Sequence, residues 1–434
     1  MASSSSVRGV STSGSGPARH LRSRGAGVLP LVLVTTAAMV LLSSLWKGAC
    51  LDASRNYPLT CYSDVLQLFS SRDLAHGAFP YVHGRLVAGA PIGTFEYPVL
   101  TGVFIWFSAL FADSRAAFLV SSTALLLPFA LLTGGLLARL TGRRALLWAT
   151  APALGLYALH NWDLLAVAAT VAAFAAWRLE RSVLAAALLA AGGCLKIYPL
   201  LFVLPLVLDR LSRRDRAGAG RAALASTAVV LAVNLPFVLV NRSGWATTYV
   251  FQQQRAADAS SNSIWFWASP AVHLSTSALN GLVAVLVLLA LALASAYGVL
   301  RRRREGSYPF LQVCGAVLAV FLLVNKVHSP QYALWLLPFF ALIRLRIGWW
   351  AAYAVADAAV YVGVFRWLNT LTHGGDHGPA RDLLIAGVWT RAALLVALTV
   401  VFLRAQDALR GQPTQRPAVN VSVSTAISGA ATAT

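Results

Sequence analysis

Acidic residues are nearly absent from this sequence: 15 Asp and Glu stand against 35 Lys and Arg in 434 residues. Charged residues of both signs make up only 12%, well under the usual quarter or so of a soluble domain. With 58% hydrophobic residues, such a chain cannot cover itself with a water-facing surface. Cysteine numbers four, too few for a disulfide framework. No G-x-G-x-x-G run occurs, so the fingerprint of a dinucleotide-binding unit is missing. Lysine is scarce in its own way. Of the 35 basic residues only Lys47, Lys196 and Lys326 are lysine.

What fills the chain instead is a series of apolar runs of roughly bilayer-spanning length, from residue 28 to residue 403. The expected fold is all-α, a polytopic bundle of about twelve membrane segments. The net charge of +20 does not call for nucleic acid. The arginines cluster in short loops and tails (8–24, 210–221, 301–304, 344 and 346, 404–416), which is how cytoplasmic loops of membrane proteins look. No reading motif accompanies them.

Residues 1–27 are Ser/Gly-rich and basic, with no apolar face to bury, and are expected to be a disordered cytoplasmic N-terminus. Val28 to Trp46 is too long an apolar core for a cleavable signal peptide and reads as the first membrane helix. That places the polar loop 47–96 outside the cytoplasm. Between 97 and 208, simple alternation would put Arg139, Arg143, Arg144, Arg178 and Arg181 outside, against the charge rule. If 97–138 makes one net crossing, part of it re-entrant, those arginines move inside, and His160 to Asp163 and Lys196 move outside. Later helices near 222–240, 275–299, 308–325, 331–343, 348–365 and 385–403 alternate more simply. The membrane domain is thus 28–404, with 405–434 a disordered cytoplasmic tail. The protein is expected in the cell membrane, with both termini cytoplasmic.

The stretch Cys61 to Pro98 is too polar to cross a bilayer and too long for a plain connector. It holds three of the rare acids, Asp64, Asp73 and Glu96, beside Tyr62, Arg72, His76 and Tyr97. Val65, Leu68 and Phe69 share a helical face, so a short surface helix is expected, ended by Gly77 or Pro80. Asp64 suits a general base or a grip on a sugar hydroxyl or metal, while the residues alone favour capping of the following turn by Ser63 or Asp64. Glu96 stands where a carboxylate also favours a helix dipole. Asp163 closes the polar-aromatic patch HNWD, whose Trp can also mark a membrane interface. Lys196 and Lys326 present point charges suited to a phosphate oxygen, with snorkelling as the alternative, and for Lys47 snorkelling is the expected role. His328 can change protonation near neutral pH, and Gln331 shares its polar turn. Cys194 and Cys314 read as packing residues. Pairing of Cys50 with Cys61 remains open.

Three stretches in order, CYSDVLQLFSSRDLAHGAFPYV…FEYPVLTG, LKIYPLLFVLPLVL and NKVHSPQYALWLLPFFAL, resemble glycosyltransferase family 87, most closely its actinobacterial members. The likeness covers about residues 28–404. It implies a GT-C membrane enzyme similar to polyprenyl-phosphate-mannose-dependent mannosyltransferases. It also implies a reaction-centre acid at Asp64, a lipid-phosphate contact at Lys196 and Pro199, and a late Ser-Pro segment at Ser329-Pro330 beside His328. The expected reaction is an inverting transfer from a polyprenyl-phosphate sugar to a lipid or glycan acceptor. In it Asp64 or His328 is the base, and Lys196, Lys326 or Arg72 holds the phosphate. Tyr62, Glu96, Tyr97, Asp163 and Gln331 line the substrate. No cofactor is required, although a divalent metal is compatible with the chemistry. The rival readings are a transporter or flippase of lipid-linked sugars and a non-catalytic partner in envelope assembly. Against the transporter, no internal repeat occurs.

Overall fold

Val32, Thr36, Val40, Ser43 and Lys47 are spaced three and four residues apart, and they form the single buried face of the first helix, α1 (Leu29–Gly48). The structure is a computed structural model that describes residues 27–51, 61–72, 74, 77–87, 90–268 and 274–409. Residues 1–26 and 410–434, expected to be disordered, lie outside it, as do Asp73 and His76.

After α1 the chain forms a Cys50–Cys61 disulfide with Cα atoms 5.4 Å apart. The short α2 (Asp64–Ser71) buries Val65, Leu66, Leu68 and Phe69, the face expected from its period. A two-stranded antiparallel hairpin follows, β1 (Arg85–Val87) and β2 (Ala90–Ile92), with Arg85 opposite Ile92. Then come α3 (Val99–Ala109), α4 (Arg115–Thr141), α5 (Leu146–Ala149), α6 (Pro152–Tyr157), α7 (Asp163–Arg178), α8 (Ser182–Gly193) and α9 (Val203–Ser212). The second half holds α10 (Arg216–Val240), α11 (Arg242–Gln254), α12 (Ile264–Ala268), α13 (Thr276–Glu305), α14 (Phe310–Val324), α15 (Ala333–Leu342), α16 (Ile347–His373) and α17 (Gly378–Arg404).

Among the described residues six helical spans are long and apolar enough to cross a membrane: those built on α1, α4, α10, α13, α16 and α17. Their outward faces carry exposed leucines and valines such as Val34, Leu231, Leu288 and Val355, as lipid contact requires. The protein is an all-α polytopic membrane protein. Shorter apolar helices accompany the long ones: α3, α8 and α14.

The two ends of the bundle differ in chemistry. At one end Arg144 donates to the carbonyls of Phe340 and Ile343, both at 2.7 Å. Arg301 donates to Leu403 and Ala405, and Arg178, Arg301 and Arg344 surround Asp407. At the other end, Asp64 N donates to His160 O, Leu100 N to Cys194 O, and Asn241 Nδ2 to Val82 O. Helix α3 starts beside Cys194, yet Arg115, which opens α4, donates to Leu66 O in α2. Both ends of α3 therefore lie at the acid-bearing end. Residues 99–141 make one net passage, the arrangement that gathers the arginines together.

One expectation needs correction. Residues 405–409, assigned to a free tail, are bonded: Arg344 N donates to Gln406 O, Ala408 N donates to Leu342 O, and Leu409 is buried. The segment 326–330, between α14 and α15, is largely buried in the bundle. It is held there by Arg391, at the midpoint of α17 and 1% exposed. One guanidinium nitrogen pairs with Asp357 of α16 at 3.3 Å. The other donates to the carbonyls of Asn262 (3.1 Å) and His328 (3.2 Å).

Candidate active site

Two backbone-directed bonds fix the start of α2. Asp64 N donates to His160 O at 2.9 Å, and Ser63 Oγ to Leu159 O at 2.6 Å. Leu159 N in turn donates to Ser43 Oγ of α1. The stretch CYSD is thereby stitched to the peptide just before HNWD. Ser63 makes no side-chain cap. The Asp64 carboxylate turns inward, with Tyr62 donating to Oδ1 at 2.8 Å, Asn161 Nδ2 to Oδ2 at 2.7 Å, and the Tyr97 hydroxyl 3.4 Å from Oδ2. The capping alternative for Asp64 therefore has no support in its contacts.

Asn161 is the hub of the cluster. Its Nδ2 also lies 2.7 Å from the Tyr97 hydroxyl, and its Oδ1 accepts from Lys196 Nζ at 3.1 Å. Lys196 sits 3.5 Å from Asp163 Oδ1 and 4.4 Å above the Tyr97 ring. Trp335 Nε1 donates to the same Asp163 oxygen at 2.7 Å. The second Asp163 oxygen is buried without a partner among the described residues, a free acceptor of the sort that substrates or ordered water satisfy. Asp64, Tyr62, Tyr97, Lys196 and Asp163, expected as site residues from four separate stretches, are thus brought into one network.

Lys47 does not snorkel. It continues the buried stripe of α1 and is 0% exposed. Its ammonium lies 3.0 Å from the Tyr361 hydroxyl and 3.4 Å from His160 Nδ1. His160 also contacts the Tyr62 ring at 5.4 Å, and Tyr62 stacks on Phe365 at 5.3 Å. The aromatic wall beside the carboxylate is therefore rigid on both faces.

Arg72 and Glu96 meet each other at the rim in a two-pronged pair, at 3.1 and 3.0 Å. The guanidinium charge of Arg72 is thus compensated. Helix α11 holds this strand of chain in place, with Thr248 donating to the carbonyls of Phe95 and Tyr97 and Gln252 to that of Glu96.

The remaining candidates lie elsewhere. Lys326 donates to Asn280 Oδ1 at 2.6 Å and lies 3.3 Å from Gln253 O. His328 N donates to Ser261 O, and its Nε2 lines a small cavity with Asn262 and Arg391 instead of contacting Asp64. Gln331 is buried, and its side-chain oxygen has no hydrogen-bond partner among the described residues. Tyr332 links the two regions, stacking on His328 at 6.3 Å and on Trp335 at 3.9 Å.

Electrostatics separates the two candidate bases. Burial pushes the Asp64 carboxyl above the ordinary carboxylate range, opposed by the Tyr62 and Asn161 hydrogen bonds and the Lys196 charge. Burial, and then the Arg391 guanidinium, push the His328 imidazole well below its ordinary value. Asp64 is thus made a stronger base and His328 a weaker one. The Tyr62 hydroxyl is pushed up, first by the charge of Asp64 and then by burial, so it stays a donor to that carboxylate. Among the described residues no three His, Cys, Asp or Glu groups converge as metal ligands.

A carboxylate bonded to Tyr62 and Asn161, with a buried lysine on the other side of that amide, is a site equipped for acid–base chemistry. The model of glycosyltransferase family 87 matches residues 95–324, just over half of the chain. The chain belongs to that family and is a glycosyltransferase. No curated protein matches it. Asn161 and Lys47 were missed as site residues. The signal for Asn161 was present in HNWD, where an amide stands between a His and an Asp.

Proposed function

We propose that the protein moves a sugar, mannose, from a polyprenyl-phosphate donor to a lipid or glycan acceptor on the extracytoplasmic face, by inverting GT-C-type chemistry. The observation that carries this reading is the Asp64 carboxylate, presented by Tyr62, Asn161 and Tyr97 with Lys196 behind them. The acceptor hydroxyl attacks the anomeric carbon and gives its proton to Asp64. The bond from that carbon to the phosphate oxygen breaks, and the phosphate departs with the electron pair. In this reading Lys196 is the fixed cation that stabilises the developing charge. Asp163, Tyr97 and Glu96 offer acceptors and a donor for sugar hydroxyls, and Gln331 lines the deeper wall. The disulfide and the gathered arginines support an extracytoplasmic site facing away from cytoplasmic loops.

The pH dependence of transfer from polyprenyl-phosphate mannose tests the assignment. Asp64 must be ionised to accept the proton, and its pKa is raised. Activity is expected in full above that pKa and should fall as pH drops through it, at a pH above the ordinary carboxylate value near 3.9. The acidic limb should vanish from the residual activity of Asp64→Asn. A limb set instead by an imidazole, unchanged in Asp64→Asn and removed in His328→Gln, would transfer the role to His328.

A further inference from the structure

The strongest feature that the site leaves unused is a pair of cations at the C-terminal end of α11. This helix is registered against the site by its own side chains: Thr248 touches the Phe95 and Tyr97 carbonyls, and Gln252, one turn on, touches that of Glu96. Arg255 follows three residues later, on the same side of the helix as Gln252. It closes the helix, its N–H donating to Phe251 O. Its guanidinium makes one long bond, 3.4 Å to Ser260 Oγ, and no ion pair with a described carboxylate. Lys326 comes to the same point from the other side, near Gln253 O and bonded to Asn280 Oδ1, both neutral acceptors. Neither cation is ion-paired with a described carboxylate; Asp258 reaches Arg255 only through Ser260, whose hydroxyl it accepts at 2.7 Å.

Resting on the proposed function, we infer that Arg255 and Lys326 form the subsite that grips the phosphate of the lipid-linked donor. A guanidinium and an ammonium side by side suit a phosphate monoester or diester, the first as a fork of donors and the second as a point charge. The subsite borders the reaction centre. Gln252, one turn before Arg255, bonds the carbonyl of Glu96, next to Tyr97, whose hydroxyl lies 3.4 Å from Asp64. Burial, and then the Arg255 charge, depress Lys326 below the ordinary lysine value. An anion placed between the two relieves that repulsion.

The surroundings make the ligand a lipid phosphate. Helix α11 runs from the end of α10 to the first turn of α13, where Asn280 Nδ2 donates to Gln253 O. Its 13 residues hold those two apolar helices about 20 Å apart at this end, twice the spacing of packed helices. Below α11, Leu235 and Leu239 of α10 and Val285, Leu288 and Leu289 of α13 are exposed. An isoprenoid chain enters there from the bilayer, with its phosphate at Arg255.

The test uses the full chain in lipid nanodiscs and measures binding of polyprenyl monophosphate, polyprenol and inorganic phosphate. Arg255→Gln is expected to weaken polyprenyl monophosphate about ten- to hundred-fold, the usual worth of a charge-assisted hydrogen bond. Arg255→Lys should recover part of that loss, which a misfolded variant would not. Polyprenol should bind wild type and Arg255→Gln alike, and millimolar inorganic phosphate should not compete. Unchanged polyprenyl monophosphate binding in Arg255→Gln overturns the subsite while leaving Asp64 in its role. Competition by inorganic phosphate overturns the lipid assignment. A wild-type protein without affinity for polyprenyl monophosphate overturns both the subsite and the proposed donor.

Discussion

Asp64→Asn is expected to express like the wild type and to melt only a few degrees below it, while transfer falls by about 10²–10⁴-fold, the usual contribution of a general base. That loss corresponds to roughly 3–5 kcal/mol in the barrier. The amide keeps the size of the carboxylate and can still accept from Tyr62, but its own N–H₂ then faces the N–H₂ of Asn161. Reorienting Asn161 resolves that clash at the cost of the bonds its Oδ1 accepts from Lys196 and from the Trp162 N–H, about 1 kcal/mol for each net hydrogen bond. Because burial already disfavours the charged carboxylate, neutralising it costs the fold little. Transfer rates at matched folded concentration, beside thermal unfolding in detergent, separate the two effects. Near-normal transfer in a folded Asp64→Asn protein would remove the base from the site.

The second large effect concerns stability. Arg391→Met should lower the unfolding midpoint markedly, because it strands Asp357, 2% exposed, without its partner. Breaking one side of a buried ion pair typically costs about 3–5 kcal/mol. It also releases the carbonyls of Asn262 and His328, and with them the buried segments that Arg391 holds in the bundle. Pairing Arg391→Met with Asp357→Leu removes both charges and should recover a large part of the loss. The midpoint in detergent checks both variants. An unchanged midpoint in Arg391→Met would mean that the pair is solvated.

Much of this architecture is legible in the amino-acid sequence, because lipid imposes simple rules. Apolar runs near 116–138, 162–177 and 182–195 correspond to α4, α7 and α8, and the amphipathic face of α2 follows from Val65, Leu68 and Phe69. Single-net passage of 97–138 follows from arginine placement, and Arg115 against Leu66 displays it. The convergence of Asp64, Lys196 and Asp163 was legible only as separate polar marks in apolar surroundings.

Other features depend on three-dimensional packing that no local pattern encodes. Lys47 looks like an interfacial lysine until the buried stripe of α1 is traced to it. Asn161 becomes a hub because Asp64 and Lys196 arrive from residues 97 and 35 positions away. His328 and Lys326 share a short polar turn, yet Lys326 reaches Asn280 while His328 faces Asn262 and Arg391. Helix α11 lies in a stretch with little apolar period, and its position is set by carbonyls 151–156 residues earlier.

The most direct test of the account follows the sugar itself. Purified full-length protein in nanodiscs is given polyprenyl-phosphate mannose labelled in the sugar, together with lipid acceptors extracted from an envelope. The label and its anomeric configuration are then followed over time. The account predicts that label leaves the polyprenyl phosphate only when acceptor is present. It should appear on the acceptor with inverted configuration, and Asp64→Asn should stop the process. Label that stays on polyprenyl phosphate and merely changes leaflet, or a product that retains the donor's configuration, would contradict direct displacement at Asp64.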